Sequence, residues 1–146
     1  PNRLANPGMN IWTFSPSVGY THLFQKGTLE FSVLGATDWY TRNDDTDYKN
    51  GVVARADLLL VKRTASGWGF GAAGGWIQQL QDDKGDTADR LDGFKGRSFG
   101  LGPVLTYGKK WPGGEHLDVS FRYVGEFSVK NRFEGDPWSL SISGGF

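Results

Sequence analysis

The 146-residue sequence has no cysteine, one methionine, two histidines and no net charge. Without cysteine there is neither a disulfide frame nor a thiolate site. Sixteen basic side chains balance sixteen acidic ones, which leaves no electrostatic footprint for nucleic acid. Each histidine lacks the neighbour that hydrolysis requires. His22 is followed at two residues by Phe24 rather than a serine, and His116 by Asp118 without a second aspartate dyad. The expectation is a protein that is not an enzyme and needs no metal or cofactor. Mean hydropathy is −0.44, and no apolar run approaches the ~20 residues of a membrane helix. A strand that crosses a membrane escapes this test, because only alternate residues need be apolar. No signal peptide is present and the chain opens on Pro1, so a processed or truncated piece of a longer protein is expected.

What the chain has in quantity is glycine (22 residues) and aromatics (10 Phe, 6 Trp and 5 Tyr), and they are ordered. In the last stretch, WSLSISGGF, Trp138, Leu140, Ile142, Gly144 and Phe146 alternate with Ser139, Ser141, Ser143 and Gly145. Alternation of this kind marks a strand with two unlike faces. An aromatic residue closing such a strand fits the seam of an outer-membrane β-barrel. The same pattern recurs upstream over 10–24, 28–41, 51–63, 68–81, 97–108 and 116–130, the last with Phe127 and Val129 on its apolar side. Residues 1–9 read as a loop, since PNRLANPGM holds two prolines and a glycine. The phase of the third strand, 51–63, is the least distinct.

If the last strand ends in the periplasm, Trp12, Trp39, Trp76 and Trp138 fall in the outer half of the membrane band. Phe24, Trp68, Tyr107 and Phe146 then fall at its inner boundary. Two aromatic girdles on one face are what a lipid-exposed wall carries. Connections sort in the same way: 25–27, 64–67 and 109–115 are generally shorter than 42–50, 82–96 and 131–137. The fold expected is all-β, a transmembrane antiparallel up-and-down barrel forming one region over 1–146. Its location would be the outer membrane of a Gram-negative bacterium. Seven strands are an odd number, and an open sheet would leave edges unpaired in hydrocarbon, so further strands upstream are expected.

The opposite face carries Glu30, Asp38, Tyr40, Arg55, Asp57, Asp118, Arg122 and Glu126 with small residues that include Gly71 and Gly75. The charges either set pore selectivity or form ion-pair ladders across neighbouring strands; mixed sign favours ladders. Leu34, Tyr40, Leu59, Val61, Ile77 and Val104 on that face offer an apolar track. The series Gly69, Gly71, Ala73 and Gly75 makes one wall thin, with room for a plug, a large neighbour or a substrate; if a substrate passes there, bulky residues at Gly71 or Gly75 are expected to slow it. The outer loops hold Asp44, Asp45, Asp47, Asp82, Asp83, Asp86, Asp89 and Asp92. DDKGD lacks the ligand order of a calcium loop, and these residues read as solvated.

The run NRLANPGMNIWTFSPSVGY at 2–20 resembles a central segment of the meta-pathway phenol-degradation family of outer-membrane proteins (SphA-like transporters). Asp38-Trp39-Tyr40, followed by an Asn-Asp-rich loop at Asn43, Asp44 and Asp45, and the short serine strand at the end are similar too. The resemblance implies a roughly 12-stranded barrel that passes small hydrophobic compounds, aromatic ones among them. About five strands would then lie upstream, in agreement with the parity of the count. Its partners would be outer-membrane lipid and lipopolysaccharide, the barrel assembly machinery through the strand ending at Phe146, and a small hydrophobic substrate. The alternative is a structural or adhesive barrel with a blocked lumen and partner-binding loops.

Overall fold

The computed structural model describes residues 10–90 and 93–146; the loop expected over 1–9 lies outside them. Nine strands form one antiparallel sheet: β1 (Thr13–Phe14), β2 (Ser17–Phe24), β3 (Leu29–Tyr40), β4 (Val53–Arg63), β5 (Trp68–Gln79), β6 (Arg97–Lys110), β7 (His116–Tyr123), β8 (Gly125–Lys130) and β9 (Trp138–Gly145). Among the described residues the helical content is a 3-10 turn at Gln25–Gly27 and α1 at Asp86–Asp89. Nine strands make seven staves, because two staves are interrupted. β1 and β2 both pair with β3, and the register steps three for three across the gap, from Phe14↔Trp39 to Ser17↔Ala36. The gap contains Pro16, which has no N–H to give and is tolerated on an edge strand. Its carbonyl still accepts the Thr37 N–H at 3.1 Å. β7 and β8 both pair with β6 around Val124, whose N–H donates instead to the Pro137 carbonyl at 2.9 Å.

Neighbouring staves follow one another as a meander, and the sheet is open. Among the described residues β2 pairs only with β3, and β9 only with β7. Tight connections (25–28, 64–67 and 111–115) occupy one end and long ones (41–52, 80–96 and 131–137) the other. In the first of these, Gly27 takes φ +86°, and Gln25 and Lys26 are also left-handed, which reverses the chain within four residues.

Register keeps each alternating set on one face across the sheet, the third strand included: Phe31↔Leu60, Leu60↔Ala72, Phe70↔Leu105 and Leu105↔Phe121. One residue departs from the expected phase. Ser128, at φ +54°, forms a bulge between Arg97↔Lys130 and Phe99↔Phe127. A bulge adds one residue and flips the side chains beyond it to the other face, so Val129 leaves the apolar face and Lys130 takes its place.

The sheet curls toward its small-residue side. Arg122 of β7 shares a cavity with Thr21 and Ser32 of β2 and β3, which a flat sheet with β4, β5 and β6 in between would hold apart. The concave side holds the only packed cluster among the described strands: Val61, Ala73 and Val104 buried, with Leu59 and Val124 against them. The convex side stays bare. Trp12 is 83% exposed, Leu101 59% and Ile142 66%.

The convex aromatics lie on two oblique lines. One hydrogen-bonded row runs Phe24, Leu29, Lys62, Phe70, Leu105, Phe121, Leu140 across all seven staves. Toward the long loops, Trp12, Trp39, Trp76 and Trp138 stand 12, 10, 6 and 2 residues from that row. Toward the tight turns, Phe24, Trp68, Tyr107 and Phe146 stand 0, 2, 2 and 6 residues from it. Both lines slip in the same sense. With ~3.3 Å rise per residue and ~4.8 Å between strands, the slips correspond to slopes of roughly 50° and 35° across the strands.

Candidate functional site

The concave face forms a groove from the long-loop end to the tight-turn end. At the long-loop end is a cavity of about 790 Å³, walled by Tyr40, Val53, Ile77, Phe94 and Phe133 with Asp38, Arg55 and Arg132. A narrower space of about 250 Å³ follows, bounded by Asp57, Gly75, Ser98, Gly100, Arg122 and Glu126. A cleft of about 750 Å³ completes it, with Val61 and Val104 on its floor and Asp118, Ser139, Ser141 and Ser143 on its side. Arg55 and Ile77 border both the first and the second space, and Arg122 both the second and the third. The walls change character along this path, from aromatic at the long-loop end to hydroxyl-lined at the other, where Ser120 faces Ser141 and Asp118 faces Ser143.

The concave-face charges divide into two groups. Arg63 meets Glu30 at 2.5 Å and Arg55 meets Asp38 at 3.1 Å. Each arginine stands two residues beyond the one directly opposite its acid, since Glu30 pairs with Val61 and Asp38 with Val53. This diagonal is within reach of a long side chain. The Ser32 hydroxyl adds a hydrogen bond to Glu30 at 2.9 Å. The ladder expectation therefore holds between β3 and β4. It does not extend to Asp57, Asp118, Arg122 or Glu126, none of which has an ion-pair partner among the described residues. Glu126 is held instead by the Ser98 hydroxyl at 3.3 Å and the Gly135 N–H at 2.9 Å. Arg122 thus stands at the middle of the groove without a direct ion pair among the described residues, in a space it shares with the Asp57 and Glu126 carboxylates.

The two glycines expected to thin the wall differ in kind. A Cβ at Gly75 would meet only the Asp57 carboxylate, at 3.7 Å. At Gly71 a Cβ would fall on the Leu60 carbonyl, so this position lets two backbones approach rather than opening space for a substrate. The apolar track is likewise divided. Val61 and Val104 pack together with Leu59, Tyr40 and Ile77 wall the long-loop cavity, and Leu34 borders the space beside Arg122.

The long loops are tied down, which corrects the expectation that their acids are all solvated. Asp83 is buried. One of its oxygens accepts the Tyr48 phenol, and the other accepts the Gly51 N–H and the Gln79 side-chain amide, both at 2.7 Å. Lys49 and Lys84 exchange backbone hydrogen bonds of 2.9 Å, joining connections 41–52 and 80–96. DDKGD conceals this latch because one aspartate of the run turns inward while its neighbour Asp82 faces Lys95 at the surface, at 3.5 Å. Asp92 lies outside the described residues.

Burial and the adjacent Asp83 carboxylate push the Tyr48 phenol up to about 12 from an ordinary value of 10.0. A raised phenol contributes its stabilisation fully below pH 10 and loses it as pH climbs toward 12. Phenolate absorbance in a pH titration should show one tyrosine titrating near that upper value and missing in Tyr48→Phe. Asp83→Ala, which removes all three acceptor contacts, should expose the 41–52 connection to limited proteolysis at neutral pH.

His22 lies on the convex face, its Nδ1 3.2 Å from the Tyr20 hydroxyl and its ring against Phe24 at 4.2 Å between centroids. His116 stands at the tight-turn end, close to Gly145. Among the described residues no three His, Asp or Glu side chains are grouped to hold a metal ion.

Residues 1–142 match the sequence pattern of the family described as "Putative MetA-pathway of phenol degradation". No curated protein and no solved structure matches the chain.

Proposed function

The chain belongs to this phenol-degradation family, and from that premise we propose that it forms the wall of an outer-membrane β-barrel. Small hydrophobic compounds, aromatic ones included, pass along its concave face by diffusion, without catalysis. The observation that carries this reading is the inversion of the sheet. Large apolar side chains stand bare on the convex side while charges, serines and glycines occupy the concave side. In water the convex face would be an apolar patch far beyond the few hundred Å² that soluble monomers expose; in lipid it is solvated as it stands.

The two aromatic lines support the same reading. A girdle at constant height on a wall of strands tilted by ~35–45° must cross the hydrogen-bonded rows obliquely, and slopes of roughly 50° and 35° bracket that tilt. The distance between the lines is 8 residues along both β5 (Trp68 to Trp76) and β9 (Trp138 to Phe146). For tilted strands this approaches the ~25 Å apolar band of an outer-membrane wall.

The open edges at β1–β2 and β9 point to closure by further strands. The first and seventh staves run in the same direction, because every neighbour is antiparallel. Joining β9 to the β2 edge of a second copy in the same orientation would give a parallel seam. An odd number of additional staves keeps the whole wall antiparallel.

The test is uptake of benzyl alcohol by cells that carry the complete barrel and by cells that lack it. Faster uptake with the barrel is the expected result; equal rates would reject passage.

A further inference from the structure

Phe94 and Phe133 come from different connections, 80–96 and 131–137, yet wall the same long-loop cavity. The Asn131 side-chain amide donates to the Lys95 carbonyl at 2.9 Å, which holds the two connections side by side. Phe94 is kept at φ +51°, a left-handed conformation that bulky residues seldom adopt and that concentrates at functional positions. Phe133 is 98% exposed, so its ring makes almost no contact within the chain. A flat apolar ligand lying against it would recover burial that the fold leaves unused.

The charges of the cavity do not cancel. Asp38 and Arg55 neutralise each other through their ion pair, while Arg132 has no carboxylate partner among the described residues. The walls therefore combine aromatic rings with one uncompensated guanidinium, whose planar fork suits a carboxylate. A volume of about 790 Å³ lies within the range of small-molecule sites. We propose that this cavity is a capture site for a small aromatic carboxylate, which docks its ring on Phe94 and Phe133 and its charge on Arg132 before entering the groove. The proposal rests on the reading of the groove as a passage.

The experiment titrates the complete barrel in lipid nanodiscs with benzoate and with benzyl alcohol, a neutral ring of similar size, and measures flux of both in vesicles. Wild type should bind benzoate saturably and more tightly than benzyl alcohol. Arg132→Gln should weaken benzoate by about tenfold and leave benzyl alcohol unchanged. Phe133→Ala should weaken both by about tenfold, and its exposure means that folding is untouched. Variants that bind both compounds as wild type does would overturn the capture site, and with flux intact the passage would stand. Binding lost in the variants but no flux in any protein would uphold the site and reject the passage.

Discussion

Leu58→Arg is expected to destabilise the folded chain in lipid by about 2–4 kcal/mol, the cost of an arginine near the middle of a barrel's apolar band. Ser120→Arg should cost little. Leu58 lies on the convex face of β4, in the interior of the sheet, and is 49% exposed. It stands four residues from Lys62 on the reference row, between the two aromatic lines. Ser120 faces the groove beside Arg122 and borders its hydroxyl-lined cleft of about 750 Å³, where water solvates an added charge. Urea unfolding in lipid vesicles gives both values. A chain that folds as a soluble sandwich or half-barrel would show the opposite order or no difference, because Leu58 would already face water.

Gly75→Trp and Gly71→Trp should fail for different reasons. At Gly75 a Cβ is accommodated, with only the Asp57 carboxylate within 4 Å, and the indole beyond it projects into the small space of the groove that Gly75 borders. The strand signal in circular dichroism should persist while flux of benzyl alcohol falls by at least an order of magnitude, as steric occlusion of a constriction requires. At Gly71 any Cβ meets the Leu60 backbone, so even Gly71→Ala must push β4 and β5 apart. Their ladder spans 11 residue pairs, from Val53↔Gln79 to Arg63↔Gly69. Its disruption should lower stability by several kcal/mol, in the range reserved for backbone clashes and core overpacking. Flux lost together with fold at position 71, but flux alone at position 75, is the expected pattern. Folded, conducting protein from Gly71→Trp would contradict the close approach of the two backbones.

Alternation makes the seven staves legible because each side chain obeys a period of two whatever lies beyond it. Even 51–63, where Leu58, Leu59 and Leu60 run together, settles into the expected phase once Leu60 is opposite Phe31 and Ala72. The features that alternation misses depend on contacts between staves. Gly71 and Gly75 look alike in the chain, and only the curl of the sheet separates a backbone crossing from an open wall. The bulge at Ser128 has no glycine to announce it, so alternation alone puts Val129 on the wrong face. Asp83 sits in a run of acids that reads as solvated, yet Tyr48 and Gly51 arrive from a different connection to bury it. Phe94 and Phe133 belong to no alternating segment, and their shared cavity exists only because the two loops meet.

The claim on which the rest depends is that lipid meets the convex face and water the concave one. The absence of cysteine allows single cysteines to be placed along β4 and spin-labelled in lipid vesicles. Collision with oxygen, which concentrates in lipid, and with a water-soluble nickel chelate then reports each environment. The account predicts that labels at Ala54, Ala56, Leu58 and Leu60 respond to oxygen and those at Arg55, Asp57 and Leu59 to the chelate, alternating with a period of two. Chelate accessibility at the even positions, with Leu58 facing water, would contradict it.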